Sequence, residues 1–297
     1  MSVHHRNAWR RVATRAIALL ATLGCGGCAG GLFGAVNVGA PADGIAIEHG
    51  IAFAADRGLA LDVYRPADAR GDAPLVVFFY GGSWQNGSRA RYAFAGRALA
   101  DRGAVAVVPD YRLYPAVRFP AFMEDAADAV AWARTNAARL GADPRRVFVM
   151  GHSAGGQIAA LLATDGRWLA RADLATADLA GAIALSGPHD VRPEGYPDLE
   201  DLFGPRETWP QVRPVNFVDA GDPPFLLVHG AADDTVWPAH SEELARRLRA
   251  AGVPVQLRLY TDVGHVRPLL ALRWPRLGPV LDDTFGFIAA PRADQRP

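Results

Sequence analysis

One run of small residues confines this chain more tightly than any other feature. From Arg146 to Ala163 the sequence reads RVFVMGHSAGGQIAALLA. Four apolar residues, Val147 to Met150, end at Gly151, and a small-residue helix pattern begins just past Ser153. Gly151-His152-Ser153-Ala154-Gly155 sets glycines two before and two after a serine, which lets a strand reverse sharply into a helix with the serine at the tip. A serine hydroxyl is a poor nucleophile at neutral pH unless a base can reach it and N–H groups can receive the oxyanion. A helix opening at Ala154 supplies one such N–H. In a chain with 31 glycines the spacing alone is weak. The flanks strengthen it, because Val147 to Met150 suit a fully buried strand and Gln157 to Ala163 a helix packed close on a sheet.

Composition narrows the chemistry. At 297 residues, 50% of them hydrophobic, the chain can fill one large α/β domain without needing a second. Its formal net charge is zero, so nothing favours a nucleic-acid or acidic-polymer partner, and a small neutral substrate fits better. All 31 basic residues are arginine, which removes Schiff-base chemistry and the P-loop lysine. Both cysteines, Cys25 and Cys28, precede the body, leaving it neither a disulfide, a cysteine nucleophile nor a thiolate metal site. Serine, histidine and carboxylates remain.

Residues 1–40 read as a leader: Arg6, Arg10, Arg11 and Arg15 precede an apolar run, Ala16 to Leu23, and then small residues. The pattern predicts export, and the run is too short and too glycine-rich for a membrane span. Leu23-Gly24-Cys25 resembles a bacterial lipoprotein signal, although Thr22 stands where leucine is preferred; lipidation of Cys25 or Cys28 would attach the chain to a membrane, and a free N-terminus would leave it periplasmic or secreted. The catalytic body is expected over residues 44–289, with a polar tail at 290–297.

Along the body, Ile45 to Phe53 and Leu59 to Tyr64 read as an antiparallel hairpin. Leu75 to Phe79 is a buried strand ending in Tyr80-Gly81-Gly82-Ser83-Trp84, where glycines let backbone N–H groups turn toward a ligand, Gly82 and Ser83 being the donors. A helix (Ala90 to Arg102), a strand (Val105 to Val108) and a turn carrying Asp110 and Tyr111, read as structural, come next. The helix from Pro120 to Leu140 bears an apolar stripe through Phe122, Ala126 and Val130, with Glu124, Asp125 and Asp128 expected on a solvated face. Ala182 to Leu185 is a strand, Val191 to Pro223 an irregular insertion over the site, Pro224 to Val228 another buried strand, Ala239 to Ala251 a helix and Val255 to Tyr260 a strand. Alternating strands and helices argue a mostly parallel sheet covered on both faces.

Reactive groups in such a sheet gather beyond the carboxyl ends of the strands. Four strand ends carry candidates: Gly82/Ser83, Ser153, Asp233 and His265. A serine nucleophile needs an imidazole to carry its proton and a carboxylate to orient that imidazole. His265, after the last strand, is preferred to His189. For the acid, Asp233 is preferred, with Asp234 and Asp190 as rivals, while His152, His229 and His240 read as bystanders, His229 making structural hydrogen bonds. No His/Asp/Glu spacing makes a metal site and no Gly-rich loop suits a dinucleotide, so the expected chemistry uses no cofactor.

These pieces together, Tyr80-Gly81-Gly82-Ser83-Trp84, Gly151-His152-Ser153-Ala154-Gly155-Gly156, His229 to Val236 and Gly264-His265, resemble the α/β-hydrolase superfamily over most of the body. The resemblance is to the esterase/lipase branch that includes bacterial feruloyl and acetyl-xylan esterase-like proteins and kynurenine formamidases. It implies an α/β-hydrolase fold and, since the family acid lies three residues before a valine, selects Asp233 over Asp234. Tyr80 departs from the histidine usual there, and Trp237 from a proline. The function so implied is hydrolysis of carboxylic esters with small or aromatic acyl groups through an acyl-enzyme. Ser153, His265 and Asp233 would form the triad, the amides of Gly82, Ser83 and Ala154 the oxyanion hole, with Trp84 and Trp237 at the substrate. The competing readings are an arylformamidase-type amide hydrolase and a non-catalytic binding protein on the same scaffold.

Overall fold

The computed structural model describes residues 34–290. The leader's charged and apolar runs, Cys25 and Cys28, and residues 291–297 lie outside the described residues. Val36 is fully buried and Ala40 nearly so, both packed into the core of the body although they fall in the stretch read as leader. Among the described residues no helix is long and apolar enough to cross a membrane.

Eight strands form one sheet in the order β1-β2-β4-β3-β5-β6-β7-β8. They are β1 (Ile45–Ala54), β2 (Leu59–Pro66), β3 (Ala73–Phe79), β4 (Val105–Pro109), β5 (Ala142–His152), β6 (Gly181–Leu185), β7 (Phe225–Gly230) and β8 (Val255–Tyr260). β1 and β2 pair antiparallel, as the hairpin pattern predicts, and β2 meets β4 antiparallel; from β4 to β8 every pairing is parallel. Parallel strands buried on both faces should read as unbroken apolar runs. Val76 to Phe79, Val105 to Val108 and Ala182 to Leu185 do so and are all fully buried.

The connections between strands carry helices α1 (Ala93–Asp101), α2 (Ala121–Leu140), α3 (Ala154–Thr164), α4 (Arg167–Ala170), α5 (Pro197–Phe203) and α6 (Ala239–Ala250), and α7 (Arg267–Ala271) and α8 (Val280–Ala289) follow β8. Every residue of α3 is buried, which its alanines and glycines permit: a Cβ on Gly156 would come within 3.2 Å of the Gly187 Cα. Two expectations are corrected here. The insertion contains α5 and short 3-10 turns at Arg206–Val212 and Pro214–Asn216, so it is not wholly irregular. Its prolines and seven-residue helix are too short-ranged to produce a readable period.

The second correction concerns Asp125, expected on a solvated face and in fact completely buried. It accepts from Arg112 Nε and Nη2, both at 2.8 Å, from the Arg112 amide at 2.9 Å and from Arg57 Nη1 at 2.7 Å. A buried carboxylate needs such partners, and these arrive from outside its helix. The pattern of α2 alone could not show them.

Candidate active site

The turn at Ser153 is built by contact. Ser153, between β5 and α3, has φ 54° and ψ −120°, a left-handed conformation that ordinary side chains avoid. Gly151 and Gly155 make it attainable: a Cβ on Gly151 would lie 2.1 Å from the Gly155 carbonyl oxygen, and one on Gly155 2.0 Å from that of Phe79. The Ser153 amide donates to the Leu185 carbonyl at 2.9 Å, tying the turn to β6. The backbone thus fixes the hydroxyl's position before any partner is added.

Three strand ends meet there. Ser153 Oγ donates to His265 Nε2 at 2.9 Å, and His265 Nδ1 donates to Asp233 Oδ2 at 2.8 Å. Asp233 is buried while Asp234 is exposed. Its other oxygen, Oδ1, accepts the amides of Thr235 at 3.0 Å and Val236 at 2.9 Å. Burial alone would raise the Asp233 carboxyl; hydrogen bonds from His229 and His265 outweigh it and hold the group well below the usual carboxylate range. The carboxylate stays charged and faces the imidazole.

His189 and Asp190 stand outside this chain of hydrogen bonds. His189 is completely buried, and among the described residues neither ring nitrogen has a hydrogen-bond partner. Asp190 pairs with Arg192 at 3.2 Å and with Arg213.

The loop after β3 comes close to this turn. A Cβ on Gly81 would fall 3.1 Å from Ser153 Cβ and 2.9 Å from the His152 carbonyl oxygen, so only glycine allows the approach. Gly82, at φ 128°, would place a Cβ 2.1 Å from the Asn86 carbonyl oxygen. Tyr111, read as structural, and Tyr92, which carries no signal in the sequence, hold the loop's carbonyls: Tyr111 OH donates to Tyr80 O at 2.8 Å, and Tyr92 OH to Gly81 O at 3.2 Å. Tyr80 stacks on Tyr111 with ring centroids 4.5 Å apart. With those carbonyls occupied, the amides of Gly82, Ser83 and Ala154 donate to no protein acceptor among the described residues. Trp84, expected at the substrate, is almost wholly buried; its indole N–H donates to Gln157 Oε1 at 3.3 Å and its ring abuts Phe203. Trp237 is half exposed.

Two histidines read as bystanders touch the Ser153–His265–Asp233 chain. His152 is buried, its Nε2 donates to the His265 carbonyl at 3.0 Å, and its ring lies 5.0 Å from the His265 ring. Burial, reinforced by His265, pushes it down to about 3, so it remains neutral. His229 reaches Asp233 Oδ2 at 3.2 Å as well as making the structural bonds expected of it. The His152 contact has no signal in sequence spacing because it joins two different strand ends, whereas the His229–Asp233 contact is local, spanning the turn that follows β7. Among the described residues no cluster of His, Cys, Asp and Glu could hold a metal ion.

A family model, BD-FAE, matches residues 61–248, from β2 to the end of α6. The chain belongs to the BD-FAE family. It is an α/β-hydrolase of the esterase/lipase branch. Esterase LipC of Mycobacterium tuberculosis (strain ATCC 25618 / H37Rv) is 32% identical over 210 residues, 64% of this chain and 52% of that protein. A probable isoprenylcysteine alpha-carbonyl methylesterase of Oryza sativa subsp. japonica is 29% identical over 262 residues, 80% of this chain and 62% of that one. The chain thus spans between half and two thirds of the length of these curated relatives. Among solved structures, the thermophilic esterase Est2 of Thermogutta terrifontis with propionate bound superposes with a TM-score of 0.67 at 26% identity, over 84% of this chain and 97% of that one.

Proposed function

We propose that the chain hydrolyses carboxylic esters through an acyl-enzyme on Ser153. The observation that carries the reading is the unbroken hydrogen-bond chain from Ser153 Oγ through His265 to buried Asp233, at 2.9 and 2.8 Å. His265 takes the serine proton as Oγ attacks the ester carbonyl, and then returns it to the departing alcohol. Asp233 keeps the proton on Nδ1 and stabilises the imidazolium. The amides of Gly82, Ser83 and Ala154 receive the oxyanion. A water deprotonated by His265 then attacks the acyl-enzyme and releases the acid, restoring the free serine.

Relatives named as esterases favour ester over formamide substrates. Propionate in the Thermogutta terrifontis neighbour supports small acyl groups. Trp237, next to the acid loop and half exposed, offers an apolar contact for the substrate, while Trp84 serves from beneath by holding the oxyanion loop. The test is hydrolysis of p-nitrophenyl acetate and butyrate, with N-formylkynurenine alongside. Turnover of the esters, lost by about a thousandfold or more in Ser153→Ala and His265→Ala, is the expected result. Folded protein that cleaves only the formamide, or whose ester turnover survives Ser153→Ala, would overturn the proposal.

A further inference from the structure

His229, the penultimate residue of β7, is completely buried, and its two ring nitrogens have different and determinate roles. Nε2 lies 2.8 Å from the Val236 carbonyl oxygen, which can only accept, so Nε2 carries the hydrogen. Nδ1 is then the acceptor and takes the hydroxyl proton of buried Ser241 at 2.7 Å. The same Nε2–H is 3.2 Å from Asp233 Oδ2, the oxygen that also accepts from His265 Nδ1 at 2.8 Å. The Thr235 and Val236 amides occupy Oδ1, and Oδ2 takes His265 Nδ1 together with the longer approach of His229 Nε2, whose hydrogen also serves the Val236 carbonyl.

Two backbone amides would suffice to orient Asp233, so a second imidazole on the oxygen facing His265 has a further consequence. Resting on the proposed triad, we infer that His229 is a positioning residue which, by sharing Asp233 Oδ2, limits how strongly that carboxylate draws a proton onto His265. A carboxylate oxygen that already accepts from one imidazole holds a second imidazolium less tightly. Removing the His229 contact is therefore expected to move the acidic limb of the activity profile to higher pH. Ser241 strengthens the arrangement, since a hydrogen bond accepted at Nδ1 makes Nε2–H a better donor.

Other titratable groups face this pair from each neighbouring element. From the end of β5 comes His152, which burial and the nearby His265 push down to about 3. The segment after β6 brings His189, driven well below its ordinary value by burial. His240 on α6 is lowered by burial to about 4, and Asp234 on the acid loop is exposed. Burial biases all three histidines toward the neutral form, so a shift of the acidic limb is read on the His229–Asp233–His265 unit.

The test compares the full chain with His229→Leu, His229→Gln and Ser241→Ala, each checked for folding by circular dichroism, reading kcat and KM for p-nitrophenyl acetate from pH 5 to 8.5. Glutamine places an amide N–H near the position of Nε2; leucine supplies none. The Leu variant is expected to lose at least tenfold in kcat with KM within twofold, and the acidic limb of its kcat/KM profile should move at least half a pH unit upward. Gln should restore the limb to the wild-type position, and Ser241→Ala should move it upward by a smaller amount. An unmoved limb in folded His229→Leu, or a Gln variant indistinguishable from Leu, overturns the inference. If the Leu variant does not fold, an unmoved limb in Ser241→Ala overturns it and an upward shift there supports it. Ser153→Ala is run in parallel: wild-type turnover that survives it sinks the triad itself, whereas turnover that depends on Ser153 with an unmoved limb sinks only the role of His229.

Discussion

Ser153 was legible from five residues because its glycines are required by backbone collisions of about van der Waals depth or worse, and such requirements leave a fixed spacing in sequence. The acid was less so. Asp233 and Asp234 are adjacent, both follow β7, and only burial separates them: Asp233 is 4% exposed and its Oδ1 is captured by the amides two and three residues on. An Asp of either number can make such a turn, so spacing gives Asp233 only a preference, which the resemblance strengthens. Asp233→Asn should keep the loop but present the wrong groups to His265, lowering kcat by about 10³- to 10⁴-fold. Asp234→Asn should stay within about twofold. Steady-state kinetics on the two variants checks this, and equal losses would contradict the assignment.

Elements were readable where one physical rule dominates. Unbroken apolar runs marked β3 to β7, since a parallel strand is buried on both faces. Alternation marked the β1–β2 hairpin, and the small residues of α3 marked a helix pressed on the sheet. The face of α2 was misread because periodicity counts apolar residues, whereas Asp125 is buried by guanidinium groups 13 and 68 residues away in sequence. Removing one partner of a buried ion pair leaves the others uncompensated. Asp125→Ala should therefore lower unfolding stability by about 3 kcal/mol while kcat at 25 °C stays within about twofold, because the cluster makes no contact with the triad. Urea denaturation reads the first quantity; a loss under about 0.5 kcal/mol would mean that the cluster is only a surface pair.

At the scale of the whole molecule, alternating strands and helices were enough to indicate the sheet, and the strand order then brings the ends of β5, β7 and β8 together. Which buried histidines accompany them was not legible, because a histidine's burial depends on neighbours from other strands. His152, His189 and His240 are all lowered by burial, to about 3, well below the ordinary value, and to about 4 respectively. In the unfolded chain each takes a proton near pH 6.5. Folded-state values lie below the unfolded ones, so as pH falls below about 6.5 the unfolded chain binds protons that the native protein refuses, and stability drops. Asp222, raised by burial to about 7, opposes this with one group against three. The urea midpoint should accordingly decline from pH 6.5 to 4.5, and a flat midpoint across that range would contradict the neutral burial of these rings.

The proposed function turns on one covalent event at Ser153, and trapping that event tests it most directly. The measurement is treatment of the active protein with a fluorophosphonate ester, followed by peptide mass mapping. One adduct on the peptide carrying Ser153, absent in Ser153→Ala and formed at least a hundredfold more slowly in His265→Ala, is the predicted result. A folded protein that hydrolyses esters while Ser153 remains unlabelled, or that takes the label on another residue, would contradict it.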